Sequence, residues 1–154
     1  MQQKKSGGIF VKILVINGPN LNMLGIREPE IYGMSTYKDL LEKIENEAKR
    51  LSVDVEFFQS NHEGDLVDKL QAAYGNTDGI IINPGAYTHT SVALLDAVKR
   101  IGIPTVEVHI SDPDEREEFR KISYIRSACV KTYKGLGFEG YIEALKFLAL
   151  EYKR

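Results

Sequence analysis

Apolar residues follow two alternating rhythms along this chain: short β-branched runs, and longer stretches with helical spacing. Residues 11–16 (VKILVI) form an apolar strand interrupted only by Lys12, and residues 53–58 (VDVEFF) alternate with period two. Residues 79–82 (GIII) are apolar throughout, the pattern of a strand buried on both faces. Residues 105–110 (TVEVHI) make a fourth strand and residues 130–133 a fifth. Between them, Ser35 or Thr36 caps a helix running to about residue 51, with Leu40, Leu41, Ile44 and Ala48 on one face. Further helices are predicted over 65–74, over 91–100 (ended by Gly102 and Pro104) and over about 141–152, with a short helical turn over 115–120. Five β-α units predict an α/β domain of three layers, a five-stranded parallel sheet with helices on both faces. A flavodoxin-like strand order, 2-1-3-4-5 with right-handed crossovers, is the expected topology.

Composition narrows the function classes. A chain of 154 residues is about one domain, read here as a flexible tail over 1–10 and a single catalytic domain over 11–154. With 43% hydrophobic and 27% charged residues, the chain can form a core. A net charge of -2 with no basic stripe argues against nucleic-acid binding. Cys129 is the only cysteine, which leaves no disulfide framework or thiolate metal site within one chain and fits a reducing, cytoplasmic setting. No signal or membrane segment is expected, because Gly18, Pro19 and Asn20 interrupt the first apolar run.

The unusual polar residues fall at the carboxyl ends of the strands, where parallel sheets bind ligands. Strand one runs into Asn17-Gly18-Pro19-Asn20-Leu21-Asn22, strand two into Gln59-Ser60-Asn61-His62-Glu63-Gly64, and strand three into Asn83-Pro84-Gly85-Ala86-Tyr87-Thr88-His89-Thr90-Ser91. Glu107, His109 and Ser111 share one face of strand four, since side chains alternate there. A carboxylate two residues from an imidazole can bind it, fixing the tautomer and raising its basicity. All three histidines of the chain lie at these ends. His89 precedes a helix that Thr90 or Ser91 can cap, and its imidazole faces the same crevice. His62 with Glu63 suits a plain helix start, where an acidic first turn favours the dipole.

The stretch from Asn17 to Gly33 is about seventeen residues without clear secondary structure, a length typical of functional lids or disordered segments. It carries Arg27 and Tyr32, with Gly25 and Gly33 as candidate hinges. Arg116 and Arg120, four apart on the predicted short helix, face the same way and are free either to bind an anion or to pair with Glu117 or Asp112. No phosphate-binding glycine loop follows the first strand, no G-x-S-x-G elbow is present, and no histidines have helical metal-ligand spacing. Two classes remain: an enzyme acting on a small anion, and a binding or regulatory domain using the same crevice. A flavin or nucleotide protein is a more distant reading.

Six blocks carry a resemblance: Asn17-Gly-Pro-Asn-Leu-Asn, Arg27-Glu-Pro-Glu-Ile-Tyr-Gly, Gln59-Ser-Asn-His-Glu-Gly, Asn83-Pro-Gly-Ala-Tyr-Thr-His-Thr-Ser, Glu107-Val-His-Ile-Ser and Gly135-Leu-Gly-Phe-Glu-Gly-Tyr. Together they resemble the type II 3-dehydroquinate dehydratase family, in the family's order and over about residues 12–150. The resemblance implies a flavodoxin-like fold and a shikimate-pathway lyase that uses no cofactor, metal or imine. It also implies a homododecamer built from trimers. By the same resemblance, Tyr32 is the base and His109 the general acid, while Arg27 assists the base and the enolate. Asn20 holds a water against the enolate oxygen, and Glu107 supports the histidines. Asn83, His89, Ile110, Ser111 and Arg120 are substrate-binding positions, Arg116 is a further arginine near the base, and Asp96 reaches a neighbouring subunit's site. Asp112 and Asp114 depart from the family, which often has Asn and His there.

That chemistry sets an electrostatic requirement. A free tyrosine has a pKa near 10, so only about 0.1% is ionised at pH 7. Making it half ionised there takes about 4 kcal/mol of preference for the phenolate. One cation at about 4 Å in an effective dielectric near 20 supplies roughly that before desolvation is subtracted. A partly buried Tyr32 therefore needs more than one arginine, which gives Arg27 and Arg116 a reason to be present.

Overall fold

A computed structural model describes residues 11–26 and 35–152. The predicted tail over 1–10 lies outside the described residues, as do Arg27, Tyr32 and Gly33 of the expected lid. Strands β1 (Val11–Asn17), β2 (Val53–Gln59), β3 (Gly79–Asn83), β4 (Thr105–His109) and β5 (Lys131–Lys134) form one sheet in the order β2-β1-β3-β4-β5. Every pairing is parallel, with β1 in register against both β2 and β3. This is the flavodoxin-like topology expected from the alternation of elements.

Side-chain alternation splits the core into two layers. Ile13 and Val15 of β1, Ile81 of β3, and Val106 and Val108 of β4 pack on α1 (Tyr37–Leu51) and α4 (Glu139–Lys146). Leu14, Ile16, Ile80 and Ile82 pack on the opposite side against α2 (Glu63–Ala72) and α3 (Val92–Ile101). Thr36 closes a capping box on α1, its hydroxyl accepting from Asp39 N while the Asp39 carboxylate accepts from Thr36 N. Ser91 caps α3 through Leu94 N, and Gly102 ends that helix in the left-handed region at φ 65°.

Three expectations need correction. The segment after Asn17 has structure of its own, a 3-10 turn over Leu21–Met23. The short helix predicted around 115–120 is two 3-10 turns, Pro113–Glu115 and Glu118–Lys121. Arg116 is extended between them (φ -107°, ψ -150°), which interrupts the helical hydrogen-bonding pattern. The last helix begins at Glu139, and its end over Phe147–Glu151 widens into a π turn.

Candidate active site

The loops leaving β1 and β3 interlock at the carboxyl edge of the sheet. Gly18 N donates to Asn83 O at 2.8 Å, and a Cβ on Gly18 would meet Pro84 O at 2.3 Å, so no larger residue fits. Gly85 adopts φ +61° with Pro19 O only 3.0 Å from where a Cβ would stand. Asn20 takes the left-handed conformation (φ 71°), and its N–H donates to Asn61 Oδ1 at 3.0 Å. Asn is among the few residues with a side chain that visit this region readily. The interlocked loops border a cavity of about 140 Å³ beside the end of β4.

Nine of the predicted side chains or their neighbours converge there: Asn20, Asn83, Gly85, His89, His109, Ile110, Ser111, Arg116 and Arg120 all line the cavity. Apolar residues Pro19, Leu21, Met23, Leu24, Ala86 and Pro113 complete its described walls, and none of the described lining residues is acidic. A small cavity with two arginines, two histidines and no carboxylate among its described walls suits a small anion. Although not on one helix, both arginines reach the cavity, Arg116 from the extended residue between the two 3-10 turns and Arg120 from the second turn. Arg120 also donates from Nε to Glu117 Oε1 at 2.9 Å.

Glu107 stands just behind this wall, fully buried in the sheet. Its Oε2 accepts from His109 Nε2 at 2.5 Å and Ser123 Oγ at 2.8 Å, with Thr88 Oγ1 at 3.4 Å. Its Oε1 accepts from Arg126 Nε at 2.9 Å and Thr132 Oγ1 at 3.2 Å. Burial acts to raise this carboxyl's pKa, but hydrogen bonds from His109, Arg126 and Ser123 outweigh it and bring the value down to about 2. An ionised carboxylate only accepts, so the proton of the His109–Glu107 bond sits on Nε2. Nδ1 is then the ring nitrogen left for exchange with a ligand.

His89 is held differently. Its Nδ1 donates to Ile122 O at 2.6 Å, leaving Nε2 without that proton. Burial lowers its pKa; the bond to Ile122 O opposes this in part, and the nearby His109, Arg120 and Arg116 add to the lowering. Glu107 thus contacts His109 and not His89 in this arrangement.

Asn83 is fixed from beneath. Its Nδ2 donates to the Tyr141 hydroxyl at 2.9 Å, its Oδ1 accepts from Gly85 N at 3.1 Å, and Tyr141 in turn donates to Asn17 Oδ1 at 2.6 Å. Tyr141 is fully buried, and burial holds its hydroxyl firmly protonated. Asn17 Nδ2 is buried with no hydrogen-bond partner among the described residues.

Some predicted residues lie elsewhere. Asp96 is exposed on α3 and does not line the cavity. His62 occupies the N-cap position of α2, exposed and away from the cavity, so only two of the three histidines belong to the site. Asp112 and Asp114 both pair with Lys134, and Asp112 Oδ1 caps its 3-10 turn by accepting from Asp114 N at 3.0 Å. Sequence reasoning misses Ser123, Arg126 and Thr132, and it includes Tyr141 only as the last residue of the sixth block, with no role. Ser123 and Arg126 belong to an aperiodic stretch, and Thr132 and Tyr141 read as ordinary strand and helix positions. Among the described residues, no group of three His, Cys, Asp or Glu is placed to share a metal ion, and no helix is long and apolar enough to cross a membrane.

Comparison with known proteins agrees with this geometry. The family model described as dehydroquinase class II matches residues 11–149. The 3-dehydroquinate dehydratase of Clostridium acetobutylicum is 55% identical over 138 residues, covering 90% of this chain and 96% of the relative. That of Caldicellulosiruptor saccharolyticus is 58% identical over 135 residues, covering 87% and 93%. The crystal structure of type II dehydroquinase from Butyrivibrio crossotus superposes with a TM-score of 0.89 at 53% identity, covering 90% of this chain and 97% of the other. A family match over residues 11–149, with relatives more than half identical along nearly the whole of it, shows that the chain belongs to the class II dehydroquinase family.

Proposed function

We propose that this protein is a type II 3-dehydroquinate dehydratase, eliminating water from 3-dehydroquinate to give 3-dehydroshikimate in the shikimate pathway. The observation that carries the reading is the His109–Glu107 pair at the wall of an arginine-lined cavity. The substrate is a small carboxylate bearing a ketone and a hydroxyl leaving group. Its elimination needs a base for the proton beside the ketone, a stabiliser for the enolate, and an acid for the departing oxygen.

His109, carrying a proton on Nδ1 while Nε2–H stays bonded to Glu107, is the acid that gives the Nδ1 proton to the departing hydroxyl, which leaves as water. Tyr32 is the base and Arg27 its assistant, with Arg116 as the second cation that the tyrosine needs. Asn20 positions a water at the enolate oxygen. Asn83, His89, Ile110, Ser111 and Arg120 bind the substrate, and Asp96, exposed on α3, serves a neighbouring subunit. The reaction on this reading needs no cofactor. The assembly is a homododecamer of trimers and the setting cytoplasmic; light scattering after size exclusion tests the former.

The enone of the product absorbs where the substrate does not, so turnover is read directly. Purified protein is expected to raise enone absorbance with 3-dehydroquinate, and Tyr32→Phe to abolish nearly all of that rate. Near-normal turnover in the variant contradicts the role of Tyr32. Saturable binding without any turnover would make the protein a metabolite-binding domain instead.

A further inference from the structure

Arg126 has no place in the chemistry above, yet it grips the residue on which that chemistry leans. It sits on the 3-10 turn Ile125–Ala128, outside the cavity walls. Its guanidinium approaches Glu107 as a fork, Nε to Oε1 at 2.9 Å and a terminal nitrogen to Oε2 at 3.3 Å. The carboxylate is fully buried, whereas the arginine side chain keeps 35% of its surface exposed. A forked contact fixes the carboxylate plane as well as its position, which a point charge cannot do.

The same plane sets where Oε2 points, and Oε2 is the atom that holds His109 Nε2. We infer that Arg126 is a positioning residue for the reaction, acting through Glu107 to hold the His109 imidazole with Nδ1 toward the substrate. This inference rests on the proposed dehydratase activity.

The other groups around Glu107 cannot substitute for it. Ser123, Thr88 and Thr132 offer neutral single hydroxyls that rotate to suit. Cys129, whose thiol burial pushes up to about 12, adds no charge. Asp114 lies near enough to act on Arg126 but is itself paired with Lys134. Among the described partners of Glu107, Arg126 is therefore the permanent cation and the bidentate donor.

The test is a cycle of variants read by steady-state kinetics and by proton NMR. Arg126→Gln is expected to lower kcat about tenfold while KM changes less than about twofold, the signature of a lost transition-state interaction. Arg126→Lys, which keeps the charge and loses the fork, should lower kcat by only about threefold, a smaller loss than that of Arg126→Gln. In a Glu107→Gln background the Arg126→Gln change should cost less than about twofold, because the intermediary is already gone. An equal loss in both backgrounds, or a raised KM with unchanged kcat, overturns the inference.

NMR of the free protein separates this result from the activity itself. The His109 Nε2 proton, held by a short bond to a carboxylate, should give a downfield resonance that Arg126→Gln and Arg126→Lys weaken or displace. An unchanged resonance in both variants overturns the inference even if the protein proves not to act on 3-dehydroquinate. Arg126→Lys alone serves that comparison if Arg126→Gln does not fold.

Discussion

Two acid–imidazole pairs of similar spelling stand on strands β2 and β4, which β1 and β3 separate in the sheet, and they do different things. His62-Glu63 follows β2, where the histidine fills an exposed N-cap position and its side chain makes no cap bond. Glu107-Val108-His109 lies on β4, where both side chains are buried on one face and meet at 2.5 Å. The difference is the spacing and the element. Adjacent residues at a helix start diverge, whereas residues two apart on a strand point the same way. Burial then turns proximity into consequence, because a buried carboxylate must find donors and Glu107 finds five side chains.

Variants can break this contrast. His109→Ala should lower turnover of 3-dehydroquinate by about 10²–10⁴, the usual worth of a general acid, with binding of an enolate mimic less affected. A proportional fall in both would remove the acid role. Glu107→Ala should cost about 3–5 kcal/mol of stability in denaturant unfolding, since it strips the buried partner from Arg126 and His109.

The sequence made the pair on β4 legible because period-two alternation is a strong signal and the intervening Val106, Val108 and Ile110 are apolar. The interlock of Gly18 with Asn83 was legible only as two glycine-containing loops; that they cross is a consequence of β1 and β3 being neighbours. The donors to Glu107 from Ser123 and Arg126 were not legible. They come from a stretch of 3-10 turns with no hydrophobic period, where a serine and an arginine look like any solvated surface. Tyr141 hid for the opposite reason: its position on α4 suits a core aromatic, and nothing local shows its hydroxyl reaching Asn17 and Asn83. The pair of 3-10 turns replaced a predicted helix because backbone geometry at Arg116, not side-chain spacing, sets the break.

Acid sharpens the contrast by linkage. Glu107 has its pKa lowered to about 2, so it binds protons more weakly folded than unfolded. Its contribution to stability is fully present above its ordinary value of 4.5 and is lost as pH falls toward 2. Urea midpoints should therefore drop between about pH 4.5 and 2, and Glu107→Gln should flatten part of that drop. An unaltered slope in the variant contradicts the assignment. Tyr141→Phe comes next, with a loss of about 1–3 kcal/mol, because Asn17 and Asn83 are left with buried unpaired groups. Substrate KM should rise with it if Asn83 loses its orientation, and an unchanged KM would separate the network from binding. The smallest effect is expected at the other pair: His62→Ala should change stability by less than about 0.5 kcal/mol and turnover by less than about twofold.

If this chain performs the dehydration through the buried pair on β4, turnover follows His109 and not His62. Enone absorbance measured with purified wild-type protein, His109→Ala and His62→Ala on 3-dehydroquinate tests this directly. Steady product formation is expected from the wild type and from His62→Ala, and almost none from His109→Ala. No turnover by the wild type, or equal turnover by all three, would contradict it.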